Sequence, residues 1–399
     1  MRALIVASTV GSTPKELAYS FVYDEITGLI KYGVDVHVVR FKFGKPNCFS
    51  GICFHDIEKC ELLSAWRTIK SLYKMFSSIT APRSTFVELL YSHAISKAIR
   101  LINPHIVHAH FAYPEGWCTL LAKSVTVKNI PLVVTVHGYD INVLPEYGYG
   151  VRLLRKYDAK VKVVLKRANC IIAVSRDLAL KVKELGAENV VYIPNGVDTS
   201  TFNPIITPSE REKIDLLKRK WGVEDADVVI GFFRHLKPWY GVHYIPLIAK
   251  LVLRNVGIKV KFVLAGDGGA KYIKMLHKIS SKFNLENNII YVGKLPRTIM
   301  PLAYKAVDIA INTSLTDGMP PSTLEAMASG KPVVSFASGG NKDLILNWFN
   351  GFLIPLGDYR TFAEKLLYLI ENPSEIRRMG INSRRLAEER FNINKKLTM

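Results

Sequence analysis

Short apolar and β-branched runs recur along the 399 residues, and amphipathic stretches of helical period fill the gaps between them. In the first half the runs are RALIVAS, VDVHVVR, HIVHAH, PLVVTVH, CIIAVS and NVVYI; in the second they are VVIGFF, KVKFVLAG, NIIYVG, DIAINTS and PVVSF. Most of them lack the apolar-polar alternation of a half-exposed strand. A run that is apolar on both faces predicts a parallel strand covered by helices on either side. The fold class predicted is therefore α/β, a doubly wound parallel sheet, and the pattern occurs twice.

The seam lies at residues 193–204, IPNGVDTSTFNP, where Pro194, Asn195, Gly196 and Pro204 interrupt the pattern and the charged stretch EREKIDLLKRKW follows. Residues 1–200 are expected to form one Rossmann-like domain and 205–385 a second, with 386–399 crossing back to the first. In open α/β sheets ligands bind beyond the carboxyl ends of the strands, so two such domains are expected to turn their ligand edges toward one cleft.

Composition adds limits. Apolar residues make up 49% and charged residues 22%, a globular balance without low-complexity tracts. The net charge of +20 is shared by both halves, which suits nucleic acid, an anionic membrane surface or phosphorylated small molecules. Five cysteines, Cys48, Cys53, Cys60, Cys118 and Cys170, lack C-x-x-C spacing. They predict neither a disulfide framework nor a thiolate zinc site, and a reducing compartment. The opening MRALIVASTV reads as a first strand and not as a leader. No apolar run reaches the roughly 18 residues of a spanning helix.

Polar residues gather at the predicted strand ends. Gly11 lies in STVGST, His108 and His110 in VHAHFAYPEG, and His137 precedes Gly138 at the end of VVTVH. A zinc reading of His105, His108, His110 and His137 is set aside: His105 and His108 differ in strand parity, and no carboxylate or cysteine sits at supporting spacing. GFFRHLKPWYG leaves a strand with Arg234 and Lys237, cations suited to phosphate, and VLAGDGG supplies Gly266. Asp225 and Asp227 form a D-x-D, but they precede a strand and read as a turn. In TDGMPPSTLEAMASGKPVV, Asp317 and Glu325 stand eight apart; Ser322 and Glu325 fit a capping box, and Gly330 would close the short helix.

The ordered set HAHF, VTVHG, ANCIIAVS, IPNGVD, RHLKPWYG, VLAGDGG, YVGKLP, AVDIAINTS, TDGMPPSTLEAMASGKPVV and NGFLIP resembles the retaining GT-B glycosyltransferases that use nucleotide sugars, over residues 1 to about 395. The resemblance implies two Rossmann-like domains and transfer of a sugar from a UDP- or GDP-sugar to an acceptor hydroxyl in glycolipid, polysaccharide or glycan assembly. Residues 317–325 occupy the place of the family's E-x7-E motif, with Asp317 for the first glutamate. The resemblance assigns His137, Arg234 and Asp317 to catalysis. It assigns Gly11, Arg234, Lys237, Gly266, Asp317, Gly318, Met319, Ser322 and Glu325 to the donor, and His110 to the acceptor side. It implies no metal, no cofactor and no nucleic acid partner, and a cytoplasmic protein, peripheral on a membrane. Tyr240 stands where a lysine is usual and Asp343 where a glutamate is usual.

Two basic stretches point to an anionic surface. One is residues 62–76, whose stripe includes Trp66 and Tyr73; the other is 151–167, where Asp158 is the only acid. A nucleotide-sugar epimerase, a phosphorylase and a non-catalytic module that kept the fold are the rival readings. A nicotinamide enzyme is disfavoured, because no G-x-G-x-x-G follows a strand.

Overall fold

The structure, a computed structural model, describes residues 1–8, 20–44, 47–57, 82–126 and 129–398. Gly11, Cys60 and the stretch 62–76 lie outside the described residues. The chain forms two compact units, residues 1–194 and 195–398.

The first unit contains β1 (Arg2–Val6), β2 (Asp35–Phe43), β3 (Asn47–Phe49), β4 (Ile52–Ile57), β5 (Ile106–His110), β6 (Leu132–Val136), β7 (Cys170–Ala173) and β8 (Val190–Tyr192). Their order in the sheet is β3-β4-β2-β1-β5-β6-β7-β8, parallel except for β3 against β4. The second unit contains β9 (Val228–Phe233), β10 (Val260–Ala265), β11 (Ile289–Gly293), β12 (Ile309–Asn312), β13 (Val333–Phe336) and β14 (Gly351–Ile354). Their order is β11-β10-β9-β12-β13-β14, all parallel. All eleven predicted runs are strands, and each sheet reverses direction once, between β1 and β5 and between β9 and β12. These reversals are the topological switch points where open α/β sheets hold ligands.

Most of each core comes from the runs that predicted the strands, with Phe54 of β4 and Phe352 of β14 added by strands that were not predicted. Ile5, Val38 and Phe54 pack against Val22 and Ile26 of helix Ser20–Lys31. In the second unit Ile230, Phe232, Phe262, Val334 and Phe352 meet Ile248 of helix Ile245–Asn255 and Leu366 of helix Tyr359–Glu371. Burying each such side chain contributes about 1.5–3 kcal/mol.

Two expectations are corrected. β3 and β4 were not among the predicted strands, because Asn47, Cys48, Cys53, His55 and Asp56 dilute the apolar signal. They form a hairpin on a two-residue turn, in which Ser50 and Gly51 both take the positive φ that a tight hairpin turn demands. That pairing sets Cys48 opposite Cys53, and the two are joined as a disulfide, contrary to the reading of the cysteines as unpaired.

The seam also has structure of its own. Val197 N–H donates to Phe391 O at 2.8 Å, and Arg384 Nη1 donates to the carbonyls of Thr199, Phe202 and Ala328 at 2.7–2.9 Å. Residues 195–202 are thus bonded into the second unit and are not a loose connector.

Candidate functional site

β9 and β12 end side by side at the switch point of the second sheet, so the residues that follow them converge. Arg234 comes directly after β9. Its Nη1 donates to Asn312 Oδ1 at 3.0 Å and Ser314 Oγ at 2.5 Å, and its Nη2 lies 2.8 Å from Asp317 Oδ2. Tyr240 lies under the guanidinium, with 3.8 Å from the carbon to the ring centroid. Burial works against the charge of Arg234, but Asp317 and Tyr240 outweigh it and raise the guanidinium further above its ordinary value. Arg234 Nε is buried and has no hydrogen-bond partner. A guanidinium fixed on three sides with one donor unspent is preorganised for an anion.

Asn312 is the hub that sequence reasoning missed. Its amide oxygen accepts from Arg234 and from the Ser314 N–H and hydroxyl, while its Nδ2 donates to Thr323 Oγ1 at 3.0 Å. Thr323 in turn donates to Asn341 Oδ1 at 3.0 Å. All four side chains, Asn312, Ser314, Thr323 and Asn341, are buried. For Asn312 and Ser314 the signal was the polar NTS that closes an apolar strand.

The acid loop is held from both sides. Gly340 N–H donates to Gly318 O at 2.8 Å, and Gly339 takes a positive φ where a Cβ would run into the Asp317 carbonyl. From the other side Asn195 Nδ2 donates to Met319 O at 3.2 Å, with Met319 itself buried. Gly266 belongs to the same framework. A Cβ there would strike the carbonyl of Arg234, so this glycine serves the close approach of two backbones.

Ser322 and Glu325 do not form a capping box. Helix Pro321–Ala328 has Pro320 at its N-cap with no side-chain cap, and Ser322 lies inside the first turn. Glu325 instead accepts from Tyr304 O–H at 3.2 Å, and burial together with this carboxylate raises the Tyr304 phenol well above its ordinary value. Gly330 does close the helix: its N–H bonds to Met327 O, and that of Lys331 to Ala326 O, with Gly330 at φ +71°. Lys237 is half-buried, with its charge felt at Asp267. Asp343 lies in the short helix Asn341–Leu344, half-buried.

The first unit carries a second polar group at its own strand ends. His110 Nδ1 and His137 Nε2 are 3.0 Å apart, and Phe21 and Phe111 each lie 4.8 Å from the His137 ring. Buried Asp140 accepts from the N–H groups of His137, Gly138 and Ala112 at 2.8–3.1 Å, which fixes the loop that presents His137. Burial raises its carboxyl above the ordinary range even so. His108 Nε2 meets Thr135 Oγ1 at 2.7 Å, and its Nδ1 is 3.8 Å from Glu25. Glu25, His108 and His110 offer ligand atoms within 4.8 Å of one another. The carboxylate that sequence spacing did not provide comes from helix Ser20–Lys31. Asp225 pairs with Lys259 at 2.9 Å on the surface and is no part of either group.

Comparisons with known proteins agree on the family. The family Glycosyl transferases group 1 matches residues 213–386, and Glycosyltransferase Family 4 matches 20–201. The chain is 28% identical over 307 residues to the UDP-Gal:alpha-D-GlcNAc-diphosphoundecaprenol alpha-1,3-galactosyltransferase of Escherichia coli, covering 76% of each. It is 26% identical over 294 residues to the N-acetyl-alpha-D-glucosaminyl L-malate synthase of Bacillus anthracis, covering 72% of this chain and 71% of that one. In fold it is similar to sucrose-phosphate synthase from Thermosynechococcus elongatus, with a TM-score of 0.78, 15% identity and 100% and 96% of the two chains covered. It is also similar to Anabaena HepE in complex with UDP, with a TM-score of 0.74, 20% identity and 100% and 97% covered.

Proposed function

Since the chain belongs to the group 1 glycosyltransferases of GT-B fold and is a hexosyltransferase, we propose that it moves a hexosyl group from a UDP- or GDP-sugar to an acceptor hydroxyl with retention at the anomeric carbon. The observation that carries the donor side is Arg234, clamped at the switch point with its buried Nε unpartnered. As the glycosidic bond breaks, the diphosphate gains negative charge and the sugar becomes oxocarbenium-like. A preorganised cation stabilises that change without reorganising. Lys237 adds a mobile charge, and the amino end of helix Pro321–Ala328 adds its dipole.

Glu325 takes the ribose hydroxyls, with Tyr304 holding one of its oxygens. Asp317, Gly318, Met319 and Ser322 line the sugar and phosphates, and Gly266 keeps Arg234 in place. His137, backed by His110 and the Asp140 loop, orients the donor sugar, and His110 faces the acceptor. Tyr240, standing in place of the family's lysine, serves as the flat support of Arg234. Charge neutralisation by side chains and helix end makes the reaction metal-independent in this reading. Support for the nucleotide comes from the UDP complex of the similarly folded HepE and from the UDP-galactose named for the E. coli relative. The same relative's diphosphoundecaprenol substrate supports a lipid-linked acceptor. No helix among the described residues is long and apolar enough to cross a membrane. Binding at its surface would fall to basic elements such as helix Arg155–Arg167.

A thermal-shift series with UDP, GDP, ADP and dTDP tests the site, because a ligand that binds only the folded chain raises its melting temperature. One or two of these nucleotides should stabilise wild type and fail with Arg234→Gln. Equal behaviour of wild type and variant would remove Arg234 from the donor site.

A further inference from the structure

A cavity of about 280 Å³ opens in the first unit, at the other switch point, between the ends of β1 and β5. Ser8 follows β1, Phe41 lies near the end of β2, and Tyr113 follows β5. Its remaining walls include Tyr91 of helix Pro82–Ile102, Cys118 of helix Trp117–Ser124 and Tyr157 of helix Arg155–Arg167. The volume is close to the lower bound of small-molecule sites, roughly 300 Å³.

The lining is apolar in effect although it contains a carboxylate. Glu88 receives Lys160 Nζ at 2.7 Å on both oxygens, Tyr113 O–H at 2.8 Å and Trp117 Nε1 at 3.1 Å. Its charge is matched and its oxygens are occupied; Lys160 Nζ stands 5.7–5.8 Å from the rings of Tyr113 and Tyr157, and the apolar surface left to an occupant includes Phe41, Val87 and Tyr91. The mouth differs. Val87, which lines the cavity, is 46% exposed, and Phe86 beside it is 44% exposed. Leu153 and Leu154, also exposed, lead into helix Arg155–Arg167. There Arg155 is exposed, and Lys156 stands 4.7 Å over the ring of Tyr157, the cavity wall. That helix carries six basic residues against Asp158 alone, and Asp158 is shared between Arg152 and Lys162.

An apolar chamber walled by exposed Val87 and by Tyr157, with the cations Arg155 and Lys156 next to Tyr157 in the same helix, suits an alkyl or prenyl chain ending in an anionic head. We infer that this cavity holds the apolar chain of an anionic, phosphate-bearing lipid, with Arg155 and Lys156 at its head, and that this lipid carries the acceptor. The last clause rests on the glycosyltransferase reading; the binding site itself does not. At about 30 Å³ per water-sized group the cavity accepts roughly nine such groups. Each buried methylene tightens binding about fourfold.

Isothermal titration of the full chain with hexyl, octyl and decyl phosphate, each below its micelle concentration, tests the inference, with inorganic phosphate and octanol alongside. Affinity should climb about fourfold per methylene, and inorganic phosphate should not bind measurably. Val87→Trp, a change at an exposed position that plugs the mouth, should weaken octyl phosphate at least tenfold. Arg155→Glu, on the surface, should weaken octyl phosphate several-fold and leave octanol unchanged. Affinity independent of chain length, or octyl phosphate binding to Val87→Trp as to wild type, would overturn the site. Nucleotide stabilisation measured on the same samples with UDP and GDP separates the two readings: its absence in wild type with both defeats the donor assignment, whereas its retention in Val87→Trp shows that only the cavity was altered.

Discussion

Asp317 and Arg234 are bound to each other, and that pairing gives an outcome opposite to a simple loss of function. Asp317→Asn keeps the shape of the side chain and removes one negative charge 2.8 Å from Arg234 Nη2. A diphosphate on Arg234 Nε would lie roughly 6 Å from that charge, where unit charges interact by about 0.7–2.8 kcal/mol for effective dielectric constants between 80 and 20. Removing the repulsion should therefore tighten UDP about 3- to 100-fold, as read by calorimetry at low salt, with the gain shrinking as salt is raised. Transfer should fall at least tenfold in the same variant if the carboxylate touches the donor sugar. Tighter UDP with slower transfer is the expected signature. Unchanged or weaker UDP binding by folded Asp317→Asn would mean that the diphosphate does not sit on Arg234. Arg234→Ala is a poorer probe, since it strands Asp317, Asn312 and Ser314 in a buried network at a cost of about 3–5 kcal/mol in stability.

Glu325→Gln should weaken nucleotide binding more than Glu325→Asp, because charge-assisted bonds to ribose hydroxyls contribute about 1.5–3 kcal/mol each; equal affinities would remove Glu325 from the nucleotide site. Buried Glu115, whose Oε1 accepts from Ser8 and whose Oε2 has no hydrogen-bond partner, has its carboxyl pushed up by burial from 4.5 to about 7. The folded state then holds a proton that the unfolded state releases, so Glu115 lowers stability by about 3 kcal/mol as pH rises from 4.5 to about 7. Glu115→Gln should flatten that part of the urea-unfolding profile, and a slope unchanged by the variant would refute the assignment. Turnover should survive EDTA; abolition with rescue by zinc or manganese would instead assign a metal to Glu25, His108 and His110.

What the sequence determined by itself was what repeats along one dimension. Apolar runs of strand length with helical stretches between them specify parallel strands, because a strand buried on both faces has no room for polar positions. The ordered motifs located the strand ends where Arg234, His137 and Asp317 emerge. Local composition failed where function or a turn diluted the pattern, as in the hairpin of β3 and β4, whose disulfide depends on register. It also misled at Ser322, because Pro320 and Pro321 set the start of the helix before a serine cap forms. Only the tertiary structure placed Asn312 between Arg234 and Thr323, set Tyr240 beneath the guanidinium, brought Glu25 to the histidines and left the aromatic cavity behind Ser8. Spacing of secondary structure is encoded locally. Which side chains meet is set by strand order and register, and those are chosen by the packing of the whole sheet.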